Sequence, residues 1–137
     1  MKLYEWSETL CVRIEAIDNE HKLIYDKIND LSLSLSKGEP ERVLGQTLQD
    51  LITLTSEHFA TEEQLFEKYT YTDATQHIAE HNKFRKKMEA LLIIYRDGRY
   101  ALSVDTIHYL KDWITIHIKS YDMAYASYIS KKINISA

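Results

Sequence analysis

Turn-forming residues are scarce in this chain: one proline, at position 40, and three glycines among 137 residues. So few breakers exclude a meander of short strands, a collagen-like repeat or a low-complexity chain, and leave room for a few long helices. Cysteine occurs once, at Cys11, so no intramolecular disulfide can form. A lone cysteine fits a reducing compartment and reads as a small apolar filler rather than a nucleophile. The net charge of −4 carries no Lys/Arg run, so no nucleic-acid partner is expected. The first ten residues, MKLYEWSETL, lack the apolar centre of a signal peptide. No later stretch approaches the ~18 uninterrupted apolar residues of a membrane span. A soluble, cytoplasmic protein with no membrane partner is expected.

What the chain does have is helical periodicity over long runs. Ile17, His21, Ile24, Ile28, Leu31 and Leu35 recur at steps of four and three, the spacing of one helix face. Leu44, Leu48, Leu51, Thr55, His58, Glu62, Leu65 and Tyr69 do the same, as do Ala74, His77, His81, Phe84, Met88, Leu91 and Tyr95. A fourth stripe holds Ile107, Leu110, Ile114, His117, Tyr121, Ala124 and Tyr128, with Trp113, Ile118, Asp122 and Tyr125 on the adjoining column. The expected architecture is all-α, one domain over 1–137, in which an extended N-terminal arm (1–17) precedes helices at about 18–37, 40–69, 73–96 and 103–131. Asp18 is expected to cap the first helix and Gly38 and Gly98 to end the first and third. Short connections between long helices favour an up-down-up-down antiparallel four-helix bundle.

The polar members of these stripes carry the chemistry. His58 and Glu62, and then His77 and His81, are four apart, so each pair shares a helix face. Depth brings them together. With Gly38 and Gly98 at one end of a bundle, His21, His58, His81 and His117 all lie about 15 to 20 residues from that end, with Glu62, His77 and Asp122 within about a turn of them. Five of the six histidines thus fall in one layer with two carboxylates, while His108 falls outside it and reads as surface. Burying such groups without partners costs several kcal/mol each, a penalty that bound metal removes. Five imidazoles and two carboxylates exceed the four ligands of a closed zinc site and suit two six-coordinate ions sharing bridging carboxylates. Iron fits this nitrogen and oxygen set; manganese, zinc and cobalt stay open. His117 and Asp122 are five apart, ~140° around an ideal helix, so they flank one line unless the helix widens there.

These residues resemble the hemerythrin family, most closely its bacterial single-domain branch. Trp6 with IDNEH at 17–21 is similar to the family's N-terminal signature, HFATEE to its HFxxEE, HIAEHNKF to its HxxxHxxF, and LKDWITIHIKSYDMAY to its LxxWxxxHIxxxDxxY. The resemblance implies a non-haem di-iron centre with an oxo or hydroxo bridge. His77, His81 and His117 would hold one iron, His21 and His58 the other, and Glu62 and Asp122 would bridge them. It implies reversible O2 binding at the open position of the second iron, in an oxygen carrier, store or local supplier, as a monomer or a homo-oligomer. The rival functions are a sensor of O2, nitric oxide or redox state, and a di-iron peroxidase or nitric oxide reductase, for which Tyr121 and Tyr125 are the nearby proton donors. Phe59, Trp113, Ile114 and Ile118 are the candidates for the wall of the O2 pocket. Arg13, Thr72, Phe66 and Ile114 depart from residues common in the family, and none of them is a ligand.

Overall fold

The computed structural model describes residues 6–98 and 101–136. Four helical rods account for most of them. Helix α1 spans Glu15–Ser36, α2 Glu41–Lys68 and α3 Ala74–Arg96. The fourth rod is α4 (Val104–His117), a π turn (Ile118–Asp122) and α5 (Met123–Ser136) in continuous succession. The bundle is up-down-up-down, and long-range contacts show the antiparallel pairing. Tyr95 near the end of α3 donates to the Glu41 carbonyl at the start of α2 (2.6 Å), and Tyr128 in α5 donates to the Thr70 carbonyl beyond the end of α2 (2.8 Å). Tyr25 of α1 and Thr115 of α4 share a hydroxyl hydrogen bond of 2.5 Å.

Each rod ends where its residues require. Gly38 and Gly98 adopt φ of +70° and +72°, the left-handed conformation in which a side chain would be strained. Ser103 caps α4 by accepting from the Thr106 N–H at 3.3 Å. Pro40, which lacks an N–H to leave unpaired, takes the N-cap position of α2. Between α1 and the chain start, the described part of the arm holds a 3-10 turn at Glu8–Leu10 capped by Ser7. Leu10 and Val12 are buried from that arm.

Asp18 does not start α1, which begins three residues earlier. Its carboxylate faces back along the chain and accepts from the Val12 N–H (2.8 Å), the Arg13 N–H (3.2 Å) and the Cys11 thiol (3.1 Å). The stronger demand came from the arm, whose amides at the left-handed Arg13 (φ +63°) have no ladder to join.

On the Gly38 side of the polar layer the bundle is filled by Ile24, Ile28, Leu31, Leu48, Ile107, Leu110 and Ile114, each at most 2% exposed. Every such side chain contributes about 1.5–3 kcal/mol of burial. In the fourth rod the inward column changes at the π turn. Before it the core residues are Ile107, Leu110, Ile114 and His117; within it they are Ile118 and Asp122 and after it Tyr125, Ala126 and Ile129, while Ala124 is exposed and Tyr121 and Tyr128 are half-buried. The uninterrupted stripe read from Tyr121 through Tyr128 is therefore displaced by one position, because the extra residue of a π turn advances the helix face. No helix among the described residues is long and apolar enough to cross a membrane.

Candidate metal centre

The π turn also resolves the spacing of His117 and Asp122. The Met123 N–H donates to the Ile118 carbonyl, five residues back, so residues five apart lie nearly in register and both side chains enter the bundle. His21 from α1, His58 and Glu62 from α2, and His77 and His81 from α3 enter at the same depth. All seven are at most 2% exposed.

They form two overlapping groups. One ligand atom each from Glu62, His77, His81, His117 and Asp122 lies within 4.8 Å of all the others, and the same holds for His21, His58, Glu62 and Asp122. The carboxylates belong to both groups. Glu62 Oε1 is 3.2 Å from His58 Nε2 and 3.2 Å from His81 Nε2. Asp122 turns Oδ1 to His77 and His117 (3.0 and 3.1 Å) and Oδ2 to His21 (3.0 Å). Each carboxylate therefore spans a three-histidine half and a two-histidine half.

Protons alone do not satisfy this cage. His58 Nδ1 lies 2.8 Å from Glu20, and His81 Nδ1 lies 2.8 Å from Glu63. An ionised carboxylate only accepts, so Nδ1 carries the hydrogen in both rings and the neutral form directs a bare Nε2 lone pair inward. His77 Nε2 and His81 Nε2 approach His117 Nε2 to 3.1 and 3.2 Å. Both oxygens of Glu62 and of Asp122, and Nε2 of His21 and His58, lack hydrogen-bond geometry to any described neighbour. Converging lone pairs with two buried carboxylates make a donor set for cations, and imidazole with carboxylate suits iron. The residues present fit a pair of metal ions.

The electrostatics of the metal-free protein agree. Burial opposes the charged form of His58, but Glu62 and the hydrogen bond to Glu20 outweigh it and raise its pKa to about 10. Burial likewise opposes ionisation of Asp122, yet the close imidazoles of His117, His21 and His77 hold its carboxyl well below the usual range. Glu62 is also held low: burial and the charge of Asp122 push it up, and His58 and His81 more than compensate. Burial dominates at His81 and lowers its pKa.

Aromatic and aliphatic side chains close the cage. Phe59 stacks on His81 (centroids 3.9 Å, 8°) and Trp113 on His117 (4.7 Å, 12°), so these two cover the three-histidine half. Phe66 lies 4.7 Å from His77. Ile118 is fully buried in the π turn. Ile114 lines a small apolar cavity of about 10 Å³ one turn nearer the Gly38 end, together with Ile24, Thr55 and Phe84, each a turn from a cage histidine. His108 is exposed, outside the layer.

Glu20 and Glu63 were missed in reading the sequence. Each adjoins a cage residue in the chain, in NEH and ATEE, but supports a histidine on a different helix, so spacing along one helix gives no sign of its role. Arg85 anchors Glu63 from the outside at 2.9 Å.

A helical bundle with a buried layer of five imidazoles and two shared carboxylates defines a class of protein, the carboxylate-bridged di-metal bundles. Comparison with known proteins narrows it. Residues 12–129 match the family model for the hemerythrin HHE cation binding domain. The chain is 31% identical to a myohemerythrin of Theromyzon tessulatum, over 89% of this chain and 90% of that protein. It is 31% identical to a bacteriohemerythrin of Methylococcus capsulatus, over 82% and 86%. A crystal structure of wild-type hemerythrin superposes with a TM-score of 0.89 at 29% identity, covering 93% of this chain and 98% of that one. The chain belongs to the hemerythrin family.

Proposed function

We propose that this protein binds O2 reversibly at a non-haem di-iron centre and serves as an oxygen carrier, store or local supplier. The observation that carries the reading is the sharing of Glu62 and Asp122 between two unequal sets of histidines inside a sealed layer. His77, His81 and His117 would hold one iron, His21 and His58 the other, and Glu62 and Asp122 would bridge the pair. A di-iron centre of this kind, when bound, supplies the electrons that hold O2 and takes them back on release. With two histidines against three, the half built on His21 and His58 is the one with a coordination position to spare.

The chain's own side chains do the rest. Glu20 and Glu63 fix the tautomers of His58 and His81 and orient their rings. Phe59, Trp113, Ile114 and Ile118 exclude water, and Ile114 is the one of these beside the apolar cavity. Binding is favoured over enzymatic turnover by the two tyrosines that could donate protons. Burial, followed by the charges of Glu62 and Asp122, pushes the Tyr125 hydroxyl far above its ordinary pKa. Tyr121 lies against His77 and His117 (5.5 and 5.3 Å), on the three-histidine half.

The test is gas titration of the reduced, iron-loaded protein. Uptake of one O2 per two irons, with a change in visible absorption that reverses under vacuum, is expected. Rapid irreversible oxidation would defeat the carrier reading, and an iron content unaffected by His77→Ala or His117→Ala would defeat the ligand assignment.

A further inference from the structure

All seven cage side chains are at most 2% exposed, so an ion reaches them only if part of the wall moves. The three-histidine half is walled by rings carried on long helices, Phe59 against His81 and Trp113 between His117 and Phe84. Glu20 and Glu63 stand at the cage edge, but each holds a histidine at 2.8 Å and is braced from a helix, by Thr61 at 3.0 Å and by Arg85 at 2.9 Å. Trp6 differs. Among the described residues it is the one aromatic ring outside a helix that touches a cage histidine, tilted against His21 at 6.4 Å and set edge-on to Tyr25 at 6.2 Å. The arm that carries it is lightly tied. Between Trp6 and Ile14 it makes one 3-10 turn, and Leu10 and Val12 are its two buried residues. Its Val12 N–H, Arg13 N–H and Cys11 thiol converge on one carboxylate, that of Asp18, at 2.8, 3.2 and 3.1 Å. Asp18 stands three residues before His21 on α1, so the fastening and the ligand lie one turn apart on the same face. Arg13 is exposed, two residues before α1 begins, and its φ of +63° marks the bend between arm and helix.

We infer that the arm, residues 6–14, is a hinged cover on the half of the cage built on His21 and His58, that Asp18 is its latch, and that divalent metal ions enter and leave when the latch opens. Opening turns the arm about Arg13 and lifts Trp6 from His21 while the four helical rods keep their places. Segments with few buried contacts open far more often than the core of a domain, and moving covers are drawn from that low-stability end. The latch touches neither ion, so it governs the rates of entry and exit together and leaves affinity to the closed cage. The inference rests on the metal centre and not on its binding of O2.

Entry is followed by mixing the metal-free protein with cobaltous ion and recording its visible absorption, and exit by adding a chelator in excess. Asp18→Ala should speed both by at least about tenfold, the factor for losing a hydrogen bond to a charged acceptor, and leave their ratio near that of wild type. Hydrogen exchange at the Val12 and Arg13 amides should quicken in the same variant, while the amides of α2 and α3 keep their protection and show the bundle intact. Asp18→Cys supplies the converse, because Cys11 lies beside that position. Oxidised before loading to a disulfide with Cys11, this variant should release cobaltous ion more slowly than wild type; reduced, it should release the ion faster. Tyr128→Phe, which frees the turn after α2 at the same end of the bundle, should leave the rates alone. Unchanged entry in Asp18→Ala despite free exchange at Val12 and Arg13 would overturn the cover. So would equal release by the two forms of Asp18→Cys, or faster entry in Tyr128→Phe alone. The oxidised and reduced forms compare one chain with itself, so they give an answer even where Asp18→Ala fails to fold. Absence of uptake by every form, wild type included, would instead defeat the metal centre and the cover with it.

Discussion

Replacing Glu20 with alanine tests whether the cage depends on residues that do not enter it. Glu20 accepts from His58 Nδ1 at 2.8 Å through one oxygen and from the Thr61 hydroxyl at 3.0 Å through the other. His58 is 1% exposed, so its Nδ1–H would lose its partner in a buried position, at a cost of about 1–3 kcal/mol. The ring could then rotate or shift its proton to Nε2, the atom needed inward. Loss of such a support lowers metal affinity by about 10- to 100-fold, or roughly 1.4–2.7 kcal/mol. The effect should be lopsided: the two-histidine half weakens, while the half built on His77, His81 and His117, supported by Glu63 and Arg85, keeps its ion. Competition between the protein and a chelator for ferrous or cobaltous ion reads this as one site at wild-type affinity and one weakened. Glu20→Gln, which keeps an acceptor oxygen without the charge, should fall between. Retention of both ions by Glu20→Ala within about twofold of wild type would refute the reasoning, because support worth at least tenfold would then be absent.

Other outcomes follow from the same geometry. Ile114→Ala should enlarge the cavity beneath the cage and cost about 2–5 kcal/mol of stability, read as a lower unfolding midpoint, with faster loss of the O2-binding form because the wall is thinner. Metal loading should release a proton near neutral pH. His58, raised to about 10 in the metal-free protein, holds a proton there that an ion must displace. Acid therefore weakens loading, by up to about tenfold per pH unit for each proton displaced, and a titration in weakly buffered solution should register the release. Tyr25→Phe removes the hydroxyl contact from α1 to Thr115 and should cost about 1 kcal/mol, seen as a small shift in the denaturant midpoint with metal content unchanged.

The bundle and the identity of the cage were legible because both rest on periodicity. A histidine on a core stripe is visible at its own position, and its height follows from a count of residues to the nearest helix end. The family resemblance rests on the same positions. Other features were illegible because they depend on relations between helices or on a local change of pitch. Asp18 looks like a helix cap until the amides of Val12 and Arg13 and the Cys11 thiol are seen converging on it. Glu20 and Glu63 look like solvated charges on the exposed side of a ligand. The shift of the inward column from Tyr121 to Asp122 follows from one extra residue, which the spacing of His117 and Asp122 hinted at and only the backbone could locate.

That extra residue is a slack link, the one point of the fourth rod where the chain can lose a residue without turning its far end. Lys119 and Ser120 are exposed, so their side chains are replaceable. Deleting either would set His117 and Asp122 four apart, the spacing at which residues of an ordinary helix share a face, so closing the π turn would keep Asp122, Tyr125 and Ile129 pointing inward, whereas a deletion elsewhere in the rod would turn everything downstream by ~100°. Designers shortening this helix, and anyone placing gaps when comparing relatives, should put a one-residue gap between His117 and Asp122, where a change of pitch absorbs it, rather than elsewhere in the rod.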